Sequence, residues 1–107
     1  MRLQVKGRNL EVTPSIREYA ESKLAKLDKQ LGAETPVEIE LAMETKHGQH
    51  TAEGIVFTKG PTLRASESAS DLRASIDLLA DNLERQVTRY REKRREEPRR
   101  RAEHHGT

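Results

Sequence analysis

The chain has no cysteine among its 107 residues. This absence excludes disulfide bonds, cysteine-based zinc sites and thiol nucleophiles, and it leaves a small core without covalent cross-links. No hydrophobic run approaches the roughly 20 residues that a membrane-spanning helix needs. The opening MRLQVKGRNL also lacks the apolar stretch of a signal peptide. We therefore expect a soluble, cytoplasmic protein that has no membrane partner.

Aromatic residues are scarce as well, since Tyr19, Phe57 and Tyr90 are the only three. Hydrophobic residues make up 33% of the chain and charged residues 36%, which is a polar composition but not one that prevents folding. A chain of this length has no room for two domains of ordinary size. We expect one folded domain over residues 1–97, followed by a basic segment over 98–107 that is a disordered tail or the start of a linker.

The net charge of +2 hides an uneven distribution along the chain. Residues 1–84 contain 11 Lys and Arg against 14 Asp and Glu, whereas residues 85–107 contain 9 against 4. A segment such as RQVTRYREKRREEPRRR attracts polyanions, of which nucleic acid is the commonest in a cytoplasm. A solvated helix end that runs into a disordered tail explains the same charge, so both interpretations stay open at this point.

The first part of the chain has the pattern of a strand followed by a helix. The alternation of apolar and polar residues in LQVKG at 3–7 predicts a short strand. Thr13 before Pro14 is typical of a helix start, because a hydroxyl caps the first turn and the N–H that proline lacks would be unpaired there. The apolar residues that follow at steps of three and four predict a helix over 14–31, closed by Gly32 in a left-handed conformation.

The middle of the chain predicts three strands. Alternation from Pro36 onward gives the first of them one buried face and one wet, acidic face. Residues 47–50 are expected to form the hairpin connection, residues 51–59 the next strand, and residues near 63–65 a short strand after the Gly-Pro turn. The phase of the strand at 51–59 is ambiguous, because either of two sets could face the core: Ala52, Gly54 and Val56, or Ile55 and Phe57.

Helical spacing returns in the last third of the chain, where apolar residues recur at steps of three and four as far as Tyr90. Ser70 is the predicted N-cap, and we expect the helix to run from about residue 71 to about residue 96. The next position of the stripe is Arg94, so the core should end near Tyr90 and the last turns should project beyond the sheet. Pro98 is expected to stop the helix.

The order of elements, β-α-β-β-β-α, predicts an α+β fold with a four-stranded mixed sheet and two helices on one face. The helix between the first two strands should make them parallel through a right-handed crossover. The remaining strand pairs should be antiparallel, because short connections join them.

The sequence offers little for catalysis, which needs reactive groups that converge in a cleft. His47 and His50 form an HxxH pair, but in a glycine-containing turn such a pair is more often part of the hairpin than a metal site. Glu38, Glu40 and Glu44 stand where strand alternation alone predicts polar residues. We expect no catalytic residue, no metal, no cofactor and no small-molecule substrate.

The basic residues are more informative than these groups. The second predicted helix carries cations on two flanks and beyond the core: Arg85, Arg89 and Lys93 on one flank, Arg91 and Arg95 on the other, and then Arg94. The first helix carries a smaller strip: Lys23, Lys26 and Lys29. Acidic residues interleave with both strips, so part of this charge forms pairs within the helices. A broad two-helix surface with few aromatics suits the phosphates of RNA better than base reading in DNA.

Two segments of the chain resemble a known family. The segment KGRNLEVTPSIREYAESKLAKLDK at 6–29, together with LRASESASDLRASIDLLADNLERQVTRYREK at 63–93, is similar to the ribosome hibernation promoting factors, also called ribosome-associated inhibitors. The resemblance covers residues 2–96 and implies a fold similar to double-stranded RNA-binding domains. It also implies binding in the small ribosomal subunit between head and body, over the mRNA channel and the tRNA sites, which keeps idle ribosomes from translating.

The resemblance extends to individual basic positions. The RNA-facing positions of the family are matched here by lysines and arginines of both helices, and with Arg94 from the charge pattern they form the predicted rRNA-binding set: Lys23, Lys26, Lys29, Arg85, Arg89, Lys93 and Arg94. Arg73 departs from the family, which commonly has Tyr at this position, so a stacking role there stays open. Long members add a linker and a dimerisation domain that pairs two ribosomes, and this chain fits either a short member or an excised N-terminal domain.

Three functions stay open. The preferred hypothesis is a ribosome-binding translation inhibitor of the stress response and stationary phase, whose partner is the small subunit and its rRNA. The others are a general RNA-binding module or chaperone and, in another class, a small hydrolase or metal-dependent enzyme on the glutamate-rich sheet face.

We expect a monomer, because that acidic face would repel an identical copy and no second apolar unit is present to form a dimer core. Outward-facing Ile55 and Phe57 would weaken this expectation.

Overall fold

Six elements follow one another along the chain. The computed structural model describes residues 1–44 and 48–105, with side chains for 1–43 and 48–94. The elements are β1 (Arg2–Arg8), α1 (Pro14–Asp28), β2 (Pro36–Glu44), β3 (Gln49–Phe57), β4 (Thr62–Ala69) and α2 (Leu72–His105). This is the predicted order, and the α+β class is confirmed.

The four strands form one sheet in the order β1-β2-β3-β4. β1 pairs with β2 in parallel, with Val5 opposite Ile39, and the crossover between them contains α1. The pairs β2–β3 and β3–β4 are antiparallel, as the short connections predicted. Of the predicted connection at 47–50, His47 lies outside the described residues, Gly48 has a φ of 62°, and the last two residues already belong to β3.

Both helices cover the same face of the sheet and bury it. The core combines Leu24 and Leu27 of α1 and Leu79 and Leu83 of α2 with the inward residues of the strands. On β3 the inward set is Ala52, Gly54 and Val56, which resolves the phase that the sequence left ambiguous. The last fully buried residue of α2 among the described side chains is Val87.

Each helix begins at a side chain that caps its first turn. The Thr13 Oγ1 accepts a hydrogen bond from the Ile16 N–H at 3.2 Å, so the predicted cap of α1 is confirmed. At α2 the cap is Asp71, whose Oδ1 accepts from the Ala74 N–H at 2.8 Å. The prediction of Ser70 was therefore wrong by one residue. A carboxylate serves well in this place, because it also interacts favourably with the positive end of the helix dipole.

The end of α1 differs from the prediction. The helix stops at Asp28 rather than at residue 31, and Gly32 does not adopt the left-handed conformation. The N–H groups of Gln30 and Leu31 both bond to the Leu27 carbonyl, at 2.9 and 3.0 Å. These bonds tighten the chain at the helix end without a residue of positive φ, so no left-handed glycine is needed.

The end of α2 differs as well, because the helix continues to His105. The predicted stop at Pro98 was wrong. The residues on both sides of this proline are Arg, Glu and Ala, which have high helix propensity and favour the helix across it. The division into a domain at 1–97 and a basic segment at 98–107 stays a prediction.

The open face of the sheet is not uniformly acidic, which corrects our expectation. Lys6 and Arg8 of β1 lie beside Glu40, with nitrogen-to-oxygen distances of 3.9 and 3.5 Å. Ile55 is half-buried on this face and Phe57 is 37% exposed. Like-charge repulsion therefore does not decide assembly, and the monomeric state stays a prediction that rests on the small apolar area of the face.

Two neighbouring leucines of α2 provide a test of the core. Leu79 is fully buried, so Leu79→Ala should lower the free energy of unfolding by about 2–5 kcal/mol. Leu78 is 45% exposed, and Leu78→Ala should change it by about 0.5 kcal/mol or less. Urea unfolding of the two variants measures both values. Equal losses would contradict the position of α2 on the sheet.

Candidate nucleic-acid interface

Polar contacts join α1 to α2 along the exposed side of the helix pair. The Lys26 Nζ lies 2.6 Å from the Asp81 Oδ1 and 3.9 Å from the Glu84 Oε1. The Lys23 Nζ lies 3.5 Å from the Asp77 Oδ1. The hydrogen bond from Lys26 and its positive charge lower the pKa of the Asp81 carboxyl below its usual value. Two of the three predicted α1 cations are therefore paired with acidic residues of α2.

Arg73 takes part in the same helix contact. Its guanidinium lies 4.8 Å from the centre of the Tyr19 ring and donates a hydrogen bond to the Ser15 Oγ at 3.0 Å. The Tyr19 hydroxyl donates to the Asp77 Oδ1 at 2.6 Å, and this hydrogen bond is the main reason why the pKa of Tyr19 is raised. Arg73 thus stacks on an aromatic side chain of its own chain.

The exposed side of α2 carries a row of cations. Arg85, Arg89 and Lys93 are exposed and follow one another at intervals of four residues, so each lies about one helical turn from the next. We call these three residues the α2 row. Among the side chains at 1–43 and 48–94, none of the three forms an ion pair with a carboxylate.

The end of α1 lies beside the middle of the α2 row. The Thr88 hydroxyl of α2 donates to the Gln30 Oε1 at 3.1 Å, which brings the chain just after α1 next to the turn that contains Arg89. Lys29 is exposed at the C-cap of α1, one residue before Gln30. Of the predicted α1 lysines, Lys29 is therefore the one that can add to the positive charge of the α2 row.

Arg94 lies apart from the row and faces the end of the sheet. Its guanidinium carbon is 5.6 Å from the centre of the Tyr90 ring, and its Nη1 donates to the Tyr90 hydroxyl at 3.0 Å. Clefts beside this pair are also lined by Lys59 from the turn between β3 and β4. Sequence reasoning missed Lys59, because the motif TKGP indicated a turn and nothing about its position in the fold.

The histidines and carboxylates were the other candidates, for a metal site. In the part of the chain that the structure describes, no three His, Asp or Glu side chains are grouped so that they could hold a metal ion. His47 lies outside that part, so the HxxH pair is not described. Within the described ranges, no helix is both long and apolar enough to cross a membrane. Instead, α2 carries exposed cations that have no carboxylate partner among the side chains at 1–43 and 48–94, and cations of this kind are suited to phosphates.

Comparison with known families identifies the domain. The profile of the family described as Sigma 54 modulation protein / S30EA ribosomal protein matches residues 3–95. The chain is 39% identical to the ribosome hibernation promotion factor of Picosynechococcus sp. over 97 residues. It is 33% identical to the ribosome hibernation promoting factor of Escherichia coli (strain K12) over 93 residues. Each alignment covers 87% of this chain, but it spans 50% of the first relative and 96% of the second.

Solved structures agree with this result. The crystal structure of the Thermus thermophilus Protein Y N-terminal domain superimposes with a TM-score of 0.75 at 40% identity, covering 84% of this chain and 99% of that one. A ribosomal subunit interface protein from Coxiella burnetii reaches the same TM-score at 23% identity, which concerns the fold alone. The profile match over 3–95 and these relatives lead to one conclusion: the chain belongs to the Sigma 54 modulation protein / S30EA ribosomal protein family.

Proposed function

We propose that the chain is a non-enzymatic translation inhibitor that binds the small ribosomal subunit during dormancy and occupies its mRNA channel and tRNA sites. The observation that carries this proposal is the α2 row, in which Arg85, Arg89 and Lys93 stand exposed without a carboxylate partner among the described side chains. The named relatives, which are ribosome hibernation factors, support it. Such a factor acts in the cytoplasm.

The charge distribution favours a phosphate-rich partner. The cations of the α2 row are one helical turn apart on a helix whose other side is packed into the core as far as Val87, so the helix keeps their backbone spacing fixed. Fixed cations bind RNA phosphates by releasing condensed counterions and lose little conformational freedom in doing so. Because phosphates carry no sequence information, the row positions the domain on folded RNA rather than reading bases.

Occlusion requires no chemical step from the domain. A folded body whose core is fully buried keeps its shape when it is bound, and it excludes mRNA and tRNA from any space it fills. The inhibition should therefore be competitive with both ligands and reversible when they are in excess.

A general RNA-binding module is the second candidate, since the same row would bind phosphates of any RNA. The two functions differ in selectivity. A ribosome-specific inhibitor saturates one site per small subunit and is displaced by mRNA and tRNA. A general module binds any duplex RNA with comparable affinity, and this result would favour it.

Salt dependence tests the ionic character of binding. The logarithm of the affinity for isolated small subunits should fall linearly with the logarithm of the salt concentration, with a slope on the order of −0.7 to −0.9 for each phosphate contact. Cosedimentation on sucrose gradients at several potassium concentrations measures this slope. A flat response would exclude a phosphate clamp.

Substitution of the α2 row tests whether this row is the RNA-binding surface. Replacing Arg85, Arg89 and Lys93 together with Ala should reduce the salt slope by about 2 to 3 and weaken binding strongly, because each side chain contributes about one phosphate contact. The thermal unfolding midpoint should change little, since all three side chains are exposed.

A matched triple variant controls for net charge. Replacing Arg2, Lys6 and Arg8 of β1 with Ala removes the same charge from the opposite side of the sheet, and binding should fall much less. If both triple variants bind equally, the domain attracts RNA only through its overall charge and the α2 row is not the interface.

A further inference from the structure

Tyr90 is one of the three aromatic residues of the chain and lies on α2. It follows Val87 on the apolar stripe of α2, but it does not pack against the buried core. Instead it lies against the turn between β3 and β4, where a Cβ atom at Gly60 would be 3.6 Å from both Cε1 and the hydroxyl oxygen of Tyr90. The ring is therefore positioned by a turn and remains half-exposed.

Two clefts adjoin this ring on opposite flanks of α2. One has a volume of about 420 Å³ and reaches Gln30 and Arg91 on the side of α1. The other has a volume of about 350 Å³ and reaches Pro61 and Lys93 on the side of β4. Both are lined by the side chains of Lys59, Tyr90 and Arg94, so the ring stands between them. We call them the Tyr90 clefts.

The charged residues that line the clefts are cations. Four cations line them, namely Lys59, Arg91, Lys93 and Arg94, and none of their described lining residues is acidic. The contact between α1 and α2 near Asp81 is different, because carboxylates of α2 pair there with Lys23 and Lys26 of α1. Arg94 bonds to the hydroxyl of the ring, which holds a guanidinium beside an aromatic surface.

We propose that the Tyr90 clefts bind an unpaired nucleotide of RNA, with its base stacked on the Tyr90 ring and its flanking phosphates held by Lys59, Arg91, Lys93 and Arg94. A tyrosine ring between two cationic clefts matches a nucleotide, which has a flat base and one phosphate on each side. A base in a duplex is already stacked and cannot offer its face, so the clefts select single-stranded RNA.

This inference rests on the proposed function, which supplies RNA as the partner. Lys93 belongs both to the α2 row and to one cleft, so RNA bound along the row extends directly to Tyr90. The row then holds folded RNA by its phosphates, whereas the clefts hold one extruded or single-stranded nucleotide at the end of the sheet.

The test measures binding of the full chain to a short fluorescent oligouridylate and to a blunt RNA duplex of the same length, by anisotropy. Tyr90→Leu should weaken binding of the single strand about fivefold or more, because an aromatic stacking contact is lost. The same variant should change duplex binding less than about twofold. Tyr90→Phe keeps the ring and should bind the single strand within about twofold of the unsubstituted protein.

A second pair of variants tests the phosphate contacts without touching the ring. Lys59→Ala should reduce the salt slope for the single strand by about 0.7, the value for one phosphate contact. Lys59 is exposed in a turn, so this variant folds even if a change at Tyr90 does not. Lys6→Ala removes the same charge from the opposite side of the sheet and should leave the slope unchanged.

Specific results would overturn the inference. They are single-strand binding by Tyr90→Leu within twofold of the unsubstituted protein, an equal loss for single strand and duplex, or equal slopes for Lys59→Ala and Lys6→Ala. Failure of the proposed function is seen separately, as absence of saturable binding of the unsubstituted protein to small subunits. If the unsubstituted protein binds small subunits and the Tyr90 and Lys59 variants lose no affinity for the single strand, the nucleotide site is wrong but the proposed function stands.

Discussion

The close approach of α2 to the centre of the sheet at Gly54 sets the position of the exposed cations of this helix. A Cβ atom at this position would lie 2.8 Å from the Leu83 Cδ1, 3.1 Å from the Ile39 Cδ1 and 3.3 Å from the Leu79 Cδ1. Any larger residue would push the helix away from β3 or force core side chains out of their rotamers. Because the exposed cations of α2 are on the opposite side of the same helix, their distance from the sheet follows from this contact.

The helix α2 divides into two parts by what it touches. As far as Val87 its inner side is buried against the sheet and α1. Beyond this point the helix continues to His105, and none of its side chains from Thr88 to Arg94 is buried. Tyr90 and Arg94 occupy stripe positions in this second part, and they line clefts instead of packing in a core. The clefts of the proposed nucleotide site thus lie where α2 has passed the last buried residue of its stripe.

The charges divide in a similar way between structure and binding. Lys23 and Lys26 hold α1 to α2 through Asp77 and Asp81, and this contact is exposed enough to contribute little to stability. Its effect is on the surface potential, because paired lysines attract phosphates less than unpaired ones do. The α2 row and Lys29, by contrast, have no carboxylate partner among the side chains at 1–43 and 48–94.

The sequence by itself determined the order of elements, the parallel crossover, the cap at Thr13 and the cationic character of α2. These features depend on local periodicity, on turn residues and on the composition of one helix, all of which can be read from neighbouring residues in the sequence. The helix ends were predicted less well. The apolar spacing continues past Asp28 although α1 ends there, and helix-favouring residues flank Pro98 although proline usually ends a helix. Only the tertiary structure decided the phase of β3, since apolar residues occur on both of its faces. The tertiary structure also decided that Lys23 and Lys26 pair with α2 and that Lys59 lies beside Tyr90. Each of these contacts joins residues far apart in the chain, and their distance depends on how the helices pack.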